Sequence, residues 1–178
     1  MNSSRKIMII GSGGSGKSTL SRKLGQSTGL PVFHLDKYYW NPGWIETEHD
    51  EWIKKYNQLI MQKSWIIDGN YISTMDEGIK EADTVIFLDI NRLICLYRVI
   101  KRIIKNFGKS REDMAQGCPE KIDFEFFKWV WTFPIHSRPQ ILEKLKLPSN
   151  KDKKIIILKN RKEVSEIFST LGSICIDD

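Results

Sequence analysis

Residue types that build disulfide frameworks and zinc sites are scarce in this chain of 178 residues. Its three cysteines lie far apart, without a Cys-x-x-Cys pair and without a neighbouring histidine. Disulfide-stapled and zinc-binding domains need such clusters, so we expect Cys95, Cys118 and Cys175 to be reduced thiols. The three histidines also give no spacing from which a Ser-His-Asp constellation can be drawn.

Long hydrophobic runs are missing as well. No stretch approaches the roughly 18 apolar residues that a membrane-spanning helix needs, and the first apolar stretch is too short for a signal peptide. We therefore expect a cytoplasmic protein without a membrane segment. Hydrophobic residues still make up 40% of the composition, which is enough for the core of one compact domain over residues 1–178.

Positive charge is concentrated in one part of the chain. The net charge is +6, but residues 92–162 hold 18 Lys and Arg against 7 Asp and Glu, a net charge of +11. Such a segment suits a polyphosphate ligand or a nucleic acid. It contains nothing that resembles a helix-turn-helix, a basic zipper or a ribonucleoprotein motif, so direct nucleic-acid binding has no motif to support it.

The most informative segment is GSGGSGKS at 11–18, which matches the phosphate-binding pattern G-x-x-x-x-G-K-[ST]. Glycines let the backbone turn so that successive N–H groups point at phosphate oxygens. Lys17 would reach the β- and γ-phosphates of ATP, and the Ser18 hydroxyl would bind Mg²⁺. We predict nucleotide contacts from nine residues: Gly11, Ser12, Gly13, Gly14, Ser15, Gly16, Lys17, Ser18 and Thr19.

The sequence around this loop supports the interpretation. The apolar run KIMII precedes the loop, and Leu20 and Leu24 follow it at helical spacing. A strand, a glycine loop and a helix in this order direct a helix N-terminus at an anion. The alternative is a flexible Gly/Ser loop that matches the pattern by chance.

Apolar β-like runs alternate with helical patterns along the chain. The runs are KIMIIG, PVFHLD, WIIDG, DTVIFLD and KKIIILK. Helical patterns cover 17–28, about 48–63, 91–107, about 120–147 and 161–171, and Pro134 and Pro139 break the fourth of these. The alternation predicts an α/β fold with a parallel sheet covered by helices on both faces.

The first four runs end in Gly11, Asp36, Asp68 and Asp89. Ligands collect at the carboxyl ends of parallel strands, so we expect these residues to face one crevice. Asp is also a good helix N-cap, and this second interpretation fits Asp89 equally well because a helical pattern follows it.

Asp36 is followed directly by aromatic residues. A carboxylate at this place can accept a proton from a substrate hydroxyl or help to hold Mg²⁺. Tyr39 and Trp40, with Tyr38 and Trp44 nearby, suit a substrate pocket, although a small hydrophobic cluster under a loop would explain them too.

Asp68 ends the run next to the P-loop strand, where its carboxylate would hold a Mg²⁺-bound water and border the substrate. Gly69 leaves the backbone open to the close approach of a ligand. His34 lies within an apolar run, which favours a core histidine. His136 and Arg138 are left without a role.

Residues 91–107 show two stripes at helical spacing. The apolar stripe consists of Leu93, Leu96, Tyr97, Ile100, Ile104 and Phe107. The basic stripe consists of Arg98, Lys101, Arg102 and Lys105, on a different face. A bound polyanion would offset the repulsion among these like charges; the alternative is a solvated basic face.

The segment 108–119, GKSREDMAQGCP, is polar, has Gly108 and Gly117 near its ends and closes with Pro119. It separates two long helical patterns, and we expect it to be a mobile lid.

The order of these motifs resembles the adenylate-kinase-type P-loop kinases over nearly the whole length. GSGGSGKST is similar to their phosphate loop, WIIDGNY to their strand ending in Asp-Gly, and LDINRLICLYRVIKR to their fourth strand and the helix that leads to the lid. The resemblance implies a P-loop NTPase fold of three layers, a five-stranded parallel sheet of order 2-3-1-4-5 and a small lid. It also implies ATP and Mg²⁺ as cofactors, with Lys17, Arg98, Arg102 and Arg111 supplying positive charge.

IIILKNRKEV is similar to the last strand of that family, whose following loop borders the adenine, and this places Asn160 near the nucleotide. More narrowly, HLDKYYWNPGW and WIIDGNY resemble the DNA topology modulation proteins (FlaR-related), which links the chain to DNA supercoiling.

Two departures concern the phosphoryl acceptor. Adenylate kinases follow Asp-Gly with Phe-Pro-Arg, whose arginine grips a monophosphate, whereas this chain has Asn70 and Tyr71. They also supply an arginine from the second strand, where this chain has Asp36. Asp followed by paired aromatics is similar to uridine-kinase and nicotinamide-riboside-kinase sequences, in which the Asp faces the accepting hydroxyl.

Three functions follow from these observations. The first is ATP-dependent phosphoryl transfer to a small, nucleoside-like hydroxyl acceptor, with Asp36 acting on the acceptor. The second is a nucleoside monophosphate kinase. The third, of another class, is a nucleotide-dependent DNA-binding or topology-modulating regulator that uses the basic segment.

Overall fold

The structure is a computed structural model and describes residues 5–173. Cys175 lies outside these residues. The strands are β1 (Lys6–Gly11), β2 (Val32–His34), β3 (Trp40–Asn41), β4 (Ile45–Glu46), β5 (Trp65–Asp68), β6 (Thr84–Leu88) and β7 (Lys154–Leu158). The helices are α1 (Lys17–Thr28), α2 (Asp36–Tyr39), α3 (His49–Ile60), α4 (Met75–Glu81), α5 (Arg92–Asn106), α6 (Phe124–Leu145) and α7 (Arg161–Ser173).

Five strands form one parallel sheet in the order β2-β5-β1-β6-β7. The short strands β3 and β4 pair antiparallel in a separate hairpin that the sequence patterns did not predict. The hairpin changes the strand labels, but among the five sheet strands the order is 2-3-1-4-5, as the resemblance implied. Because β1 lies in the centre, the P-loop that follows it emerges in the middle of the sheet edge.

The sheet separates two buried clusters. Met8 and Ile10 of β1 pack in one cluster, with Trp52, Tyr56 and Trp65. Ile7 and Ile9 point to the other face and pack with residues of α1 and α5. This alternation follows from the two-residue period of a strand, and helices cover both faces, which gives the predicted three layers.

Helix α6 is continuous, so the predicted break at Pro134 and Pro139 is wrong. A proline inside a helix costs about 3 kcal/mol because it removes a hydrogen bond and crowds the preceding turn. The helix also buries Val130, Phe133, Ser137, Ile141 and Leu145. Asp123 caps its start by accepting a hydrogen bond from the N–H of Phe126 (3.0 Å). Burial along the helix therefore outweighs the cost of the prolines.

Helix α5 is oriented differently from an ordinary amphipathic surface helix. It buries Cys95, Val99 and Ile103, whereas most of the predicted apolar stripe is exposed. Of that stripe, Leu96 packs partly buried against the core. The helix begins after Asn91, whose side chain accepts a hydrogen bond from the N–H of Leu93 (2.9 Å).

Asp89 is not the cap of α5. Its carboxylate accepts two hydrogen bonds from Arg138 of α6, each of 2.8 Å, which fastens α6 to the end of β6. His136 is exposed on the same helix. Within residues 5–173, none of the helices is both long and apolar enough to cross a membrane.

Candidate active site

A cleft of about 940 Å³ opens at the carboxyl ends of the central strands. Its walls come from the P-loop, α5, the β3–β4 hairpin and the loop between α5 and α6. Most of the predicted site residues line it: Gly13, Gly14, Gly16, Lys17, Ser18, Thr19, Asp36, Tyr39, Trp40, Gly69, Arg98, Arg102 and Arg111. Four other predicted residues, Gly11, Ser12, Ser15 and Asp68, are buried behind its wall.

The P-loop takes a backbone path that requires glycine. Gly14 and Gly16 have φ of 75° and 106°, in the left-handed region. A Cβ at Gly14 would also clash with the carbonyl oxygen of Cys95, because α5 packs directly against the loop. The Lys17 ammonium donates hydrogen bonds to the carbonyl oxygens of Gly11 and Ser12, both of 2.9 Å.

The cations of α5 divide between the cleft and the outer surface. The Arg98 guanidinium donates to the carbonyl oxygens of Ser15 (3.1 Å) and Gly14 (3.4 Å) and so lies against the P-loop. Arg102 also faces the cleft, whereas Lys101 and Lys105 are exposed to solvent. The basic stripe is therefore half a wall of the cleft and half a solvated face.

Ser18 and Asp68 lie together beneath the P-loop. The Ser18 hydroxyl donates to Asp68 (3.1 Å), which also accepts from Ser21 (2.6 Å) and lies 2.5 Å from Nδ1 of His34. His34 is thus a buried histidine with a partner, as the sequence favoured. The described residues contain no cluster of three metal-ligating side chains. Mg²⁺ that arrives with a nucleotide needs only one or two protein oxygens, and Ser18 with Asp68 fits that requirement.

Asp36 lines the same cleft as the P-loop. Strand β2 ends at His34, two residues earlier than the sequence run, and Asp36 is the first residue of the short helix α2. Tyr71 donates its hydroxyl proton to this carboxylate at 2.6 Å. Burial raises the pKa of Asp36, and the hydrogen bond from Tyr71 and the charge of Lys17 oppose that rise.

Lys17 responds to the same environment in the opposite sense. Burial lowers the pKa of its ammonium group, while the carboxylates of Asp36 and Asp68 counteract the decrease. Burial of its ring, followed by the charge of Asp36 and the hydrogen bond with it, raises the pKa of Tyr71, which remains a neutral hydrogen-bond donor.

The aromatic residues after Asp36 both line the cleft and form a cluster. The Tyr39 ring lies 4.4 Å from that of Tyr71 and 5.2 Å from that of Trp52, measured between centroids. Trp40 and Trp44 meet edge to face at 5.5 Å. These aromatic residues therefore border the cleft and also form a hydrophobic cluster, and the cluster fixes the positions of the rings.

The segment 108–119 packs against the hairpin. Its residues Met114, Ala115 and Cys118 are buried next to Trp40 and Trp44. Two hydrogen bonds join the loop to the hairpin: the Trp44 indole N–H donates to the carbonyl of Pro119 (3.0 Å), and the Gly43 N–H donates to that of Gly117 (2.8 Å). The loop covers the cleft. Its few apolar residues make the buried contacts, which the mostly polar sequence of the segment did not indicate.

Ion pairs hold the same loop against α5. Arg102 lies 3.0 Å from Glu120, and Arg111 pairs with both Glu120 and Asp113, the latter at 2.8 Å. Burial and the neighbouring Arg111 lower the pKa of Arg102. Burial alone would raise the pKa of Asp113, but Arg111 and a hydrogen bond with Ser18 lower it overall. Arg102 and Arg111 therefore already have carboxylate partners.

Asn160 does not line the cleft. Its side chain accepts a hydrogen bond from the N–H of Glu163 (3.0 Å), a contact typical of a helix cap, at the start of α7.

Gly69 lines the cleft, but a Cβ there would lie 2.6 Å from the Leu35 side chain. Packing against Leu35 therefore requires this glycine, whether or not a ligand approaches it.

Sequence reasoning missed several residues that line the cleft, among them Tyr71, Asp113, Glu120 and Trp129. Tyr71 was noted only as a departure from a motif, and its position next to Asp36 depends on the pairing of β2 with β5. Asp113 and Glu120 belong to the lid segment and the residue just after it, where no periodicity indicates which side chains turn inward. A charge count could have flagged them only as partners for the nearby arginines.

Solved structures with a similar fold include several small-molecule kinases. Shikimate kinase from Acinetobacter baumannii matches with a TM-score of 0.57 at 14% identity, over 97% of this chain and 93% of that one. A gluconokinase from Sinorhizobium meliloti matches with a TM-score of 0.53 at 14% identity, over 99% and 94%. Shikimate kinase from Bacteroides thetaiotaomicron matches with a TM-score of 0.53 at 15% identity, over 96% and 97%. These likenesses show the fold that this chain shares with them, and the phosphate-loop pattern of residues 11–18 lies at the end of its central strand.

No family model matches the sequence. Among curated proteins, the chain is 30% identical over 130 residues to the uncharacterized protein YqaC of Bacillus subtilis (strain 168), and the match covers 71% of each protein. The chain belongs to the same family as this B. subtilis protein.

Proposed function

We propose that the protein transfers the γ-phosphoryl group of ATP to a hydroxyl of a small, uncharged, nucleoside-like acceptor. The observation that carries this proposal is the position of Asp36. Its carboxylate lies in the same cleft as Lys17 and Ser18, and Tyr71 holds it by a hydrogen bond of 2.6 Å.

The charges at the acceptor end support an acceptor without a phosphate. Asp36 would repel an anionic group by about 1–4 kcal/mol for unit charges some 4 Å apart, in water-like to surface-like surroundings. The nearby guanidinium groups of Arg102 and Arg111 are paired with Glu120 and Asp113. A neutral hydroxyl would instead gain a charge-assisted hydrogen bond to Asp36.

Asn70 also favours an uncharged acceptor over a phosphorylated one. It occupies the region where an adenylate-kinase-type sequence would place its phosphate-binding arginine segment, and within residues 5–173 neither polar atom of its amide has a hydrogen-bond partner. An amide can donate to and accept from hydroxyl groups, but it offers a phosphate no positive charge.

Each residue then has a role in an in-line transfer. Lys17 and Arg98 would lie beside the phosphates and compensate their charge, which is the main requirement of phosphoryl transfer. Asp36 would orient the acceptor O–H and take its proton as the oxygen bonds to phosphorus and the bond to ADP breaks. Mg²⁺, held by Ser18 and Asp68, would supply further charge neutralisation when bound with ATP.

The decisive experiment measures ADP release on paired nucleoside and nucleoside monophosphate substrates, together with sugars and vitamins that carry hydroxyl groups. Asp36→Asn should keep ATP affinity but lower turnover on the true acceptor by about 10²–10⁴-fold, the usual contribution of a general base. Asp50→Asn, at an exposed carboxylate on α3, is the matched control and should keep full turnover.

A preference for monophosphates, with Asp36→Asn nearly as active as the parent, would replace this proposal by a nucleoside monophosphate kinase. In that enzyme Arg102 or Arg111 would have to leave its carboxylate partners to meet the acceptor phosphate.

The resemblance to DNA topology modulation proteins gives the experiment a third outcome. Salt-dependent retention on DNA, with no turnover on any acceptor, would favour a nucleotide-dependent regulator. The cations of residues 92–162 are dispersed: Arg98, Arg102 and Arg111 line the cleft, Arg138 pairs with Asp89, and Lys101 and Lys105 lie on the outer face of α5. This division suits a phosphate-binding cleft better than one continuous nucleic-acid surface.

A further inference from the structure

Helix α5 presents a row of large apolar side chains to solvent. Leu93 is 61% exposed, Tyr97 64%, Ile100 47%, Ile104 76% and Phe107, the residue after the helix, 63%. Together we call these five residues the α5 seam. None of them belongs to the three buried clusters of the described residues. This surface is separate from the cleft, so the inference does not depend on the proposed function.

The spacing of the seam is that of a coiled coil. Its members follow one another at intervals of 4, 3, 4 and 3 residues. At 100° per residue they fall within about 80° of the helix circumference. A stripe this narrow is typical of a seam that meets another helix, whereas a helix lying on a membrane presents a broader apolar face.

The amount of apolar surface is also suitable. Five large side chains at these exposures offer roughly 500 Å², near the upper end of the roughly 300–600 Å² that a monomer leaves in its largest patch. Two such seams face to face would bury roughly 1,000 Å², the lower bound for a specific interface. Exposed Trp131 and Ile135 of α6 would add to it, because Arg92 at the start of α5 stacks on the Trp131 ring at 4.0 Å.

The charges on α5 allow two copies of the helix to pack against each other along the seam. Residues 92–106 contain no acid, so two α5 helices cannot form ion pairs with each other. The exposed lysines, however, lie beside the seam: Lys101 is about 80° and Lys105 about 120° around the helix from its centre. Their ammonium groups can therefore remain in water when the seams meet. Because solvent screens the repulsion between these charges, the free energy gained by burying the apolar seam is larger than the cost of that repulsion.

We propose that two copies of this chain associate through the α5 seam, α5 against α5, about a two-fold axis. A self-complementary patch and a two-fold axis are the commonest way in which soluble proteins form dimers. The interface lies about 120° around α5 from the mean direction of Cys95, Val99 and Ile103, which enter the cores. It would hold in place the helix whose Arg98 contacts the P-loop.

The test is the molar mass of the full chain by size-exclusion chromatography with light scattering, over a hundredfold range of concentration. The parent should have the mass of a dimer. Ile104→Glu should weaken the dimer dissociation constant by about 100-fold or more, because each dimer contains the substitution twice. Met61→Glu, at a residue of α3's end that is 73% exposed, is the matched control and should remain a dimer.

Two further measurements keep the outcome unambiguous. Circular dichroism should show that Ile104→Glu is folded, as expected for a residue that is mostly exposed. Raising the salt concentration should strengthen the dimer by screening Lys101 and Lys105. A parent that is monomeric at every concentration, a dimer insensitive to Ile104→Glu, or a dimer that dissociates at high salt would each overturn the proposal. A protein that instead binds anionic vesicles through the seam as a monomer would overturn it too.

Discussion

Lys17 and Asp36 are two charged residues of one cleft that interact electrostatically, and burial shifts the pKa of each toward its neutral form. Such a pair is costly for stability and useful for chemistry. The lysine can give up its contacts with the Gly11 and Ser12 carbonyls when a phosphate offers a stronger partner. The carboxylate is held by Tyr71, which would fix its orientation toward the proposed acceptor in advance.

The first prediction concerns Lys17→Ala. The variant should bind ATP about 10–100-fold more weakly, since a hydrogen bond to a charged group contributes about 1.5–3 kcal/mol. Its fold should persist, because the Lys17 side chain contacts the loop carbonyls at its tip. Calorimetry measures the affinity, with Lys54→Ala on the exposed face of α3 as the control. An unchanged ATP affinity would refute the assignment of the phosphate loop.

The second prediction follows from the raised pKa of Asp36. A general base must be deprotonated, so turnover should fall on the acid side at a pH above the range in which an ordinary aspartate titrates. Asp36→Asn should lose this acid limb along with most of the rate. The measurement is the pH dependence of kcat/KM for both proteins on the same acceptor.

The pH dependence of stability provides an independent check on the raised pKa of Asp36. Turnover should rise with pH, whereas the contribution of this group to stability should fall. Because the pKa of Asp36 is higher in the folded than in the unfolded chain, the folded protein binds the extra proton, and this stabilising contribution is lost as the pH rises through the interval between the two pKa values. Asp36→Asn should therefore gain thermal stability over the parent at neutral pH and less at acid pH. A gain that is equal at both pH values would contradict the raised pKa.

Among the elements, the loop between α5 and α6 and the β3–β4 hairpin form one cover over the cleft. The loop is joined to the hairpin by the Trp44 indole and the Gly43 amide, and to α5 by the Arg102–Glu120–Arg111 ion pairs. A movement of the lid would therefore carry the hairpin with it. Such a cover excludes water from phosphoryl transfer when it closes.

The third prediction is that residues 108–119 become more protected from hydrogen exchange when a bisubstrate analogue binds. Trp44→Phe should make the same amides exchange about 2–10-fold faster, because it removes one hydrogen bond of about 0.5–1.5 kcal/mol and keeps most of the ring. Trp131→Phe, on the exposed side of α6, is the control. Equal protection with and without the analogue would argue against a lid.

The helices and strands show how much of the secondary structure the periodicity of the sequence predicts. It located α1, α3, α5, α6 and α7 to within a few residues, because each contains apolar residues spaced by about one helical turn. It missed α2, α4 and the hairpin, which are too short to show a period. It also could not tell that α6 continues through two prolines, since this depends on what the helix packs against.

In the molecule as a whole, α4 meets α3 and β1 at Gly78. A Cβ at this position would collide with the Tyr56 hydroxyl and lie 3.1 Å from the Met8 side chain. The Tyr56 hydroxyl is buried and has no hydrogen-bond partner among the described residues. The layers on this face of the sheet are thus separated by the width of a glycine.

The fourth prediction is that Gly78→Ala lowers the free energy of unfolding by about 1–3 kcal/mol, the usual cost of overpacking a core. Tyr56→Phe alone should cost little, because its hydroxyl makes no hydrogen bond. In the double variant the missing oxygen makes room for the new methyl group, so the loss should be clearly smaller than in Gly78→Ala. Chemical denaturation of the four proteins measures this coupling, and strictly additive losses would exclude a direct clash.

The sequence by itself determined what depends on neighbours along the chain. The P-loop of residues 11–18, the strand before it and the helix after it are local, since glycine conformations and the strand and helix periods are set over a few residues. The parallel sheet and its order among five strands followed from the alternation and from resemblance to a known family.

Tertiary structure alone decided which side chains meet. The Tyr71–Asp36 hydrogen bond joins residues 35 positions apart, and the Arg138–Asp89 pair joins residues 49 positions apart. An amphipathic pattern says that α5 has an apolar stripe but not which side of the helix the sheet covers. Because α5 is anchored by Cys95, Val99 and Ile103 on one side and by Arg98 at the P-loop, its seam is left facing outward. Long-range packing fixes these contacts, and local periodicity contains no information about it.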